Sequence, residues 1–411
     1  MTAALEFRHV DILFPAAQGG RGSRDAMRRA LELLDGGAPR MQIAERTGIV
    51  VGVADASLSV EPGEISVLMG LSGSGKSTLL RAANGLNTVT RGQVLVGGPD
   101  GDSVDVAACD RARLRQVRRQ RIAMVFQQFG LLPWRTVREN VGLGLELRGV
   151  TPHERQRIVS EKLALVGLAE WADRYASELS GGMQQRVGLA RAFATEADIL
   201  LMDEPFSALD PLIRTKLQDE LLMLQRQVRK TILFVSHDLD EALKLGNRIS
   251  ILEGGRIIQT GAPRDIVLRP ANDYVAEFVR HMNPLTVLTG GMVMRAHEEL
   301  ARDGEHLWLD PARRYHLTLN ARGECDAVRV DGVPAAYVRH ESANDAAPLP
   351  AGVVIASVSL SLQRLIQLRQ SSGHPVLLAQ DGVISGVCDE YEIVRALAGR
   401  AARPAVETPR E

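Results

Sequence analysis

The chain has 411 residues, with 50 acidic against 49 basic side chains and a formal net charge of -1. That length exceeds what one core normally supports and predicts two domains, while the near-balance of charge excludes a global field that would draw the protein to nucleic acid or an anionic membrane. Cys109, Cys325 and Cys388 lie far apart and form no CxxC pair, so they read as reduced thiols of a cytosolic protein and exclude a disulfide framework.

In chain order, residues 3 to 14 alternate like a first strand. A turn-rich insertion over about residues 15 to 50, with an amphipathic piece around Met27 to Leu34, then interrupts before the strand resumes at Val51. From "EISVLMG" onward the pattern is apolar run, turn and helix, repeated through "RIAMVFQQ", "ADILLMDEP" and "KTILFVSHD". Buried strands alternating with helices predict an α/β domain with a largely parallel core sheet. The texture changes after "NDYVAEFVRHMNPL", which places a boundary near residue 285. A smaller α+β domain is expected over 286 to 400, and residues 401 to 411 read as a frayed tail. The N-terminus carries no basic segment followed by an apolar one, and no run approaches the roughly 18 apolar residues that span a bilayer. Any work at a membrane is therefore expected of a peripheral subunit.

The chemistry lies in the first domain. "GLSGSGKST", Gly70 to Thr78, fits GxxxxGK[ST] between a strand-like and a helix-like run. Backbone N–H groups around Gly70, Ser72, Gly73, Ser74 and Gly75 are placed to wrap phosphates, Lys76 to neutralise them, and Ser77 to offer its hydroxyl to Mg²⁺. "ILLMDEP" ends a buried run in two carboxylates: Asp203 is placed to hold Mg²⁺ and Glu204 to deprotonate an attacking water. His237, after "TILFVS", is positioned to stabilise charge developing in phosphoryl transfer. Gln127, after "AMVF", can touch both Mg²⁺ and the lytic water. It opens a Pro-interrupted apolar segment with Phe129, Leu131, Leu132 and Trp134, read as a partner surface.

"ELSGGMQQR" is a second phosphate-binding design, since Ser180, Gly181 and Gly182 open a helix, but it has no lysine of its own. It can therefore clamp a γ-phosphate held by another copy's Lys76, and two chains facing head to tail would bury two ATP molecules between them.

This constellation resembles the ATP-binding subunit of ABC transporters across essentially all of residues 1 to 285. The resemblance implies the P-loop NTPase fold of the ABC nucleotide-binding domain with a helical subdomain, and ATP hydrolysis with Mg²⁺. It makes Gly70 to Ser77 the Walker A loop, Gln127 the Q-loop glutamine, Leu179 to Met183 the signature, and Asp203 with Glu204 the Walker B end. Asp210 of "SALD" falls in the D-loop, His237 is the switch histidine, and Phe14 is the aromatic that stacks on adenine. Met183, where most of the family has glutamine, together with "FSALDPLIRTKLQDEL" and the insertion, is similar to the importer branch for glycine betaine, proline and choline. "FGLLPWRTVRENVGLGLEL" and "LRPANDYVAEFVRHMNPL" look most like its choline-importer members. The resemblance implies a homodimer, integral permease subunits, a separate substrate-binding protein and a seat on the cytoplasmic face of the bacterial inner membrane. An alternative within transport is another osmolyte or amino acid such as proline. A soluble ABC ATPase acting on DNA or ribosomes would favour a coiled coil or a basic face, and neither is visible.

In the second domain, Leu362 to Leu397 looks like the helix, strand, turn, strand, helix half of a CBS module, with residues 286 to 350 expected to be a degenerate first half. Positions that contact adenosine in such modules match Asp389 and Glu392 here, a substitution that counts against adenine-nucleotide sensing.

Overall fold

The computed structural model describes residues 3–15, 22–98, 101–127, 130–207, 209–280, 285, 288–304, 306–340 and 352–398. It divides into two compact units, Met1–Ile266 and Val267–Glu411. The division falls ahead of residue 285 because the helix Asp273–Arg280 groups with the second unit. Phe129 and the tail from 401 to 411 lie outside the described residues.

In the first unit, β1 (Leu5–Pro15) is followed by α1 (Gly22–Asp35), α2 (Arg40–Thr47) and β2 (Ile49–Val60), which returns antiparallel to β1. Next come β3 (Ile65–Met69), α3 (Lys76–Ala82), β4 (Arg91–Gly97), β5 (Ser103–Asp105), α4 (Arg111–Gln120) and β6 (Ile122–Val125). Three helices, α5 (Val137–Leu147), α6 (Pro152–Leu165) and α7 (Gly181–Ala194), precede β7 (Ile199–Asp203), α8 (Pro211–Val228), β8 (Thr231–Val235), α9 (Leu239–Leu245), β9 (Arg248–Glu253) and β10 (Arg256–Gly261).

The central sheet has the order β10-β9-β3-β8-β7-β6, parallel except for β10 at one edge. Every residue of β3, β7 and β8 is buried, as strands covered on both faces require, and this is why their sequences are continuous apolar runs. A second, antiparallel sheet has the order β2-β1-β4-β5. Phe7, Val10 and Ile12 of β1, Leu79 and Leu80 of α3, and Leu201 of β7 share one core. Each such buried side chain contributes roughly 1.5–3 kcal/mol. The carboxyl ends of β3, β7 and β8 therefore open together onto the loops that carry the motifs, which is where parallel α/β sheets place ligands.

A separate helical layer forms around Val141, Leu145, Val159, Leu163, Val187 and Ala190 of α5, α6 and α7. The insertion forms two helices where the sequence pattern indicated one, because Pro39 and Gly48, the latter at φ 66°, bound the short α2. Ala30, Leu34 and Ile43 pack there on Leu13, Ile49 and Val51 of β1 and β2.

Among the described residues the second unit holds two five-stranded sheets. One has the order β11 (Arg295–Ala296), β20 (Val383–Cys388), β19 (Val376–Gln380), β18 (Val353–Ser357), β17 (Tyr337–His340). Helices Leu362–Ser372 and Glu390–Ala398 complete the half module expected there. The expected first half is instead an antiparallel meander, β12 (Ala301–Asp303), β13 (His306–Trp308), β14 (Tyr315–Leu319), β15 (Cys325–Val330) and β16 (Val333–Ala335). Tight turns with Gly323 at φ 77° and Gly332 at φ 82° fold these short strands locally. Arg369 Nε binds the Asp389 carboxylate, and Glu392 Oε2 accepts from the Asp389 N–H at 3.0 Å, so both carboxylates are engaged within the unit. The three cysteines are free thiols, and burial pushes Cys388 up to about 12.

Candidate active site

The glycine loop between β3 and α3 is shaped by backbone that side chains cannot occupy. Gly70 has φ 146°, and a Cβ there would lie 2.2 Å from the Leu252 carbonyl oxygen. Gly75 has φ 101°, and its Cβ would lie 2.5 Å from the Gly52 carbonyl oxygen. Both positions need glycine for close approach as well as for conformation. Lys76 at the start of α3 is buried and curls back to donate to the carbonyls of Gly70 at 2.9 Å and Leu71 at 3.0 Å. Burial draws its ammonium below the usual lysine range, partly offset by the Glu204 and Asp203 carboxylates. Ser72 and Gly73 are exposed at the loop crest, whereas Ser74 Oγ is buried with no hydrogen-bond partner. An ammonium turned onto loop carbonyls and an orphaned buried hydroxyl fit a cradle made for polyphosphate.

Asp203 ends β7 fully buried. Its Oδ1 accepts from Ser77 Oγ at 2.6 Å, and its Oδ2 accepts from Arg81 Nε at 3.1 Å and Nη2 at 2.8 Å. Arg81 was not among the residues expected here. Its spacing of four from Ser77 on one helix puts both on the face toward Asp203, the signal that sequence offered. The Ser77 hydroxyl and Asp203 carboxylate are the hard oxygen donors that suit Mg²⁺.

Glu204 follows in the left-handed region at φ 48°, a costly conformation for a residue with a Cβ. Its N–H donates to Val235 O at 3.1 Å and its carbonyl accepts from Ser207 Oγ at 3.0 Å, which hold the turn. Two predicted residues converge on one oxygen: Gln127 Nε2 donates to Glu204 Oε2 at 3.1 Å, and His237 Nδ1 lies 3.2 Å from the same atom. Strands β6, β7 and β8, which run side by side in parallel, deliver these three side chains.

Phe14, 37% exposed, sits near the end of β1. A Cβ on Gly52 would meet its Cε2 at 2.7 Å and the Thr78 methyl at 3.1 Å, so the ring lies beside the start of α3.

The signature residues form a different surface. Leu179 is buried, and Ser180 caps α7 by accepting from Met183 N at 3.4 Å. A Cβ on Gly181 would meet nothing within 4 Å, while one on Gly182 would lie 3.1 Å from Leu209 Cδ2. Asp210 caps α8, accepting from Ile213 N at 3.1 Å. The described hydrogen bonds of Ser180 and Asp210 stay within their own helix turns, and none joins them to the Lys76 loop of the same chain.

Residues 53–207 match the family described as "ABC transporter". The chain is 42% identical over 379 residues to the glycine betaine/proline betaine transport system ATP-binding protein ProV of Escherichia coli (strain K12), covering 90% of this chain and 93% of that one. It is 41% identical over 377 residues to the glycine betaine/carnitine transport ATP-binding protein GbuA of Listeria monocytogenes serotype 1/2a (strain 10403S), covering 90% and 94%. A solved dimeric structure of a bacterial ABC transporter cassette superposes with TM-score 0.52 at 30% identity, covering 63% of this chain and 98% of that one. Among the described residues no helix is long and apolar enough to cross a membrane. Similarity that runs through nearly the whole of two such subunits makes this chain a member of the ATP-binding subunits of ABC transporters, the ATPases of those transport systems.

Proposed function

We propose that this subunit energises import of a quaternary amine, glycine betaine, choline or a close relative, by hydrolysing ATP at the Lys76 site. The observation that carries the hydrolytic reading is the meeting of Gln127 and His237 on Glu204 Oε2, beside the buried Ser77–Asp203 pair. Lys76 leaves its loop carbonyls to neutralise the β and γ phosphates. Phe14 stacks on adenine. Ser77, Asp203 and Gln127 would hold Mg²⁺, which would supply charge neutralisation on the transferred phosphoryl group. Glu204, oriented by Gln127 and His237, accepts a proton from the water that attacks the γ-phosphorus as the bond to the β,γ-bridging oxygen breaks. His237 then faces the charge that develops.

The open face at Gly181 supports a head-to-tail homodimer in which one copy's Leu179 to Met183 and Asp210 close over the nucleotide held by the other. A cleft of about 520 Å³ in the helical layer is lined by Arg135, Arg138, Glu139, Glu146 and Arg155 among others, and Trp134, which precedes Arg135 in the chain, is 71% exposed. Charged walls beside an apolar rim suit a permease segment on the cytoplasmic face of the inner membrane. A separate binding protein would capture the solute, since the chain is only 4% aromatic and a quaternary ammonium needs an aromatic cage. The substrate class is supported by the two glycine betaine relatives, whose similarity extends through the second unit as well as the first.

Uptake of labelled glycine betaine, choline and proline, each measured separately in cells lacking the gene and complemented with wild type or Lys76→Ala, tests this reading. Restoration by wild type alone is expected. Restoration of proline uptake without either amine would reassign the cargo.

A further inference from the structure

The insertion ends against the phosphate loop. Arg40, the first residue of α2, donates from Nη1 to the Gly73 carbonyl at 3.3 Å, and its Cδ lies 4.0 Å from where a Cβ on Gly254 would stand. Gly255 in turn donates to Ser74 O at 3.0 Å, so the Arg40 side chain passes the β9–β10 turn on its way to the loop crest. The helix that carries it is fixed: Ile43 is buried in the cluster with Leu13 and Val51, and Arg91 clamps Asp35 at the end of α1 with bonds of 2.9 and 2.6 Å.

The electrostatics of Arg40 are unfavourable as they stand. A cation at the first turn of a helix opposes the helix dipole, and α2 has no acidic residue in that turn. The side chain is half-buried, and among the described residues its single hydrogen bond goes to a neutral carbonyl. Burial lowers its proton affinity because no carboxylate compensates the lost water. Lys76 shows the same arrangement in the same loop, a buried cation turned onto carbonyls. An anion close to Gly73 would relieve both.

We propose that Arg40 is a further nucleotide-binding residue, whose guanidinium leaves the Gly73 carbonyl for the phosphates of bound ATP or ADP. The insertion then contributes a cation to the site from outside the P-loop core. The proposal rests on the reading of the Lys76 loop as the nucleotide site.

The test is calorimetric titration of ADP and adenosine into the full chain carrying Glu204→Gln, at several salt concentrations, with a nucleotide-free melting curve for each variant. A lost charge-assisted contact predicts about tenfold weaker ADP binding for Arg40→Ala, with a shallower salt dependence and unchanged adenosine binding. Arg40→Lys should retain most of the affinity. Arg40→Gln keeps a donor for the Gly73 carbonyl without the charge and should behave like Arg40→Ala. Wild-type ADP affinity in Arg40→Gln or Arg40→Ala, or equal losses for ADP and adenosine, would make Arg40 a strut for the loop and overturn the proposal. Lys76→Ala in the same series keeps the two readings apart: normal ADP binding there removes the site itself, whereas normal binding confined to the Arg40 variants removes only Arg40.

Discussion

Replacing Gly52 by alanine should weaken ATP by moving Phe14 while leaving the phosphate cradle in place. Gly52 does not occupy the left-handed region, so its backbone accepts a side chain without conformational strain. The added Cβ would stand 2.7 Å from Phe14 Cε2, 3.1 Å from the Thr78 methyl and 3.2 Å from Ile12 O. Carbon atoms rest about 3.5–4.0 Å apart, so the ring, half-exposed and free to swing outward, must withdraw by about 1 Å. An aromatic stack on a base is worth about 1–3 kcal/mol. Losing roughly half of it raises the Kd for ATP about two- to twelvefold. Calorimetric titration of ATP and pyrophosphate into the full chain carrying Glu204→Gln reads adenine and phosphate binding separately. ATP should weaken in Gly52→Ala and weaken further in Phe14→Ala, whereas pyrophosphate should bind all three proteins alike. Wild-type ATP affinity in both variants would refute the placement of adenine on Phe14, and a matching loss of pyrophosphate would show that the damage is to the loop.

Three further outcomes follow from contacts in the first unit. Arg81→Ala leaves the buried Asp203 with Ser77 alone among its described donors, so the nucleotide-free protein should lose about 1–3 kcal/mol, seen as a lower Tm that MgATP largely restores. Asn140, fully buried, accepts from Leu132 N at 2.8 Å and donates to the carbonyls of Leu132, Arg135 and Thr136, so Asn140→Ala should release the segment behind Gln127. A loss of about 1–3 kcal/mol by chemical denaturation, with transport reduced more than ATP turnover, is the expected result. Glu241 is buried beside Ser236 and Gln218, and desolvation holds its carboxyl above the ordinary value of 4.5 despite those hydrogen bonds. The folded form therefore binds this proton more tightly than the unfolded chain, and the group's contribution falls as pH rises from 4.5 through the raised value. Glu241→Gln should flatten that decline, and an unchanged pH profile of Tm would contradict the assignment.

The glycine loop and the strand-end carboxylates proposed as the nucleotide site were legible because phosphate chemistry dictates both residue type and spacing. A loop that must present N–H groups to phosphates needs glycine where φ is positive or backbone approaches closely, as at Gly70 and Gly75. Carboxylates at the end of a buried apolar strand stand out in the same way, and β7 delivers Asp203 and Glu204 where "ILLMDEP" indicated. Arg81 was hidden because an arginine in a helix is ordinarily a solvated residue, and only its register with Ser77 sets it apart. In the segment after Gln127, Leu131 packs partly on the helical core and Trp134 projects outward, a distinction that apolar composition does not make. The insertion's second helix was missed because eight residues give too short a window for a 3.6-residue period to emerge. The meander at 301–335 was missed for a related reason: strands of three to six residues joined by polar turns look like loop until their partners are known. Its register is set by pairing across the turns, as between Leu317 and Val328, and not by any one strand's pattern.

The central claim is that one chain's Lys76 loop and another's Ser180–Gly182 turn enclose the same ATP. The direct measurement is the mass and nucleotide content of the Glu204→Gln protein in MgATP by size-exclusion chromatography with light scattering. A dimer holding two ATP molecules is expected, and Ser180→Arg, which blocks the turn that faces the partner, should return it to monomers that still bind ATP. A protein that stays monomeric at saturating ATP, or a dimer indifferent to both nucleotide and Ser180→Arg, would contradict the claim.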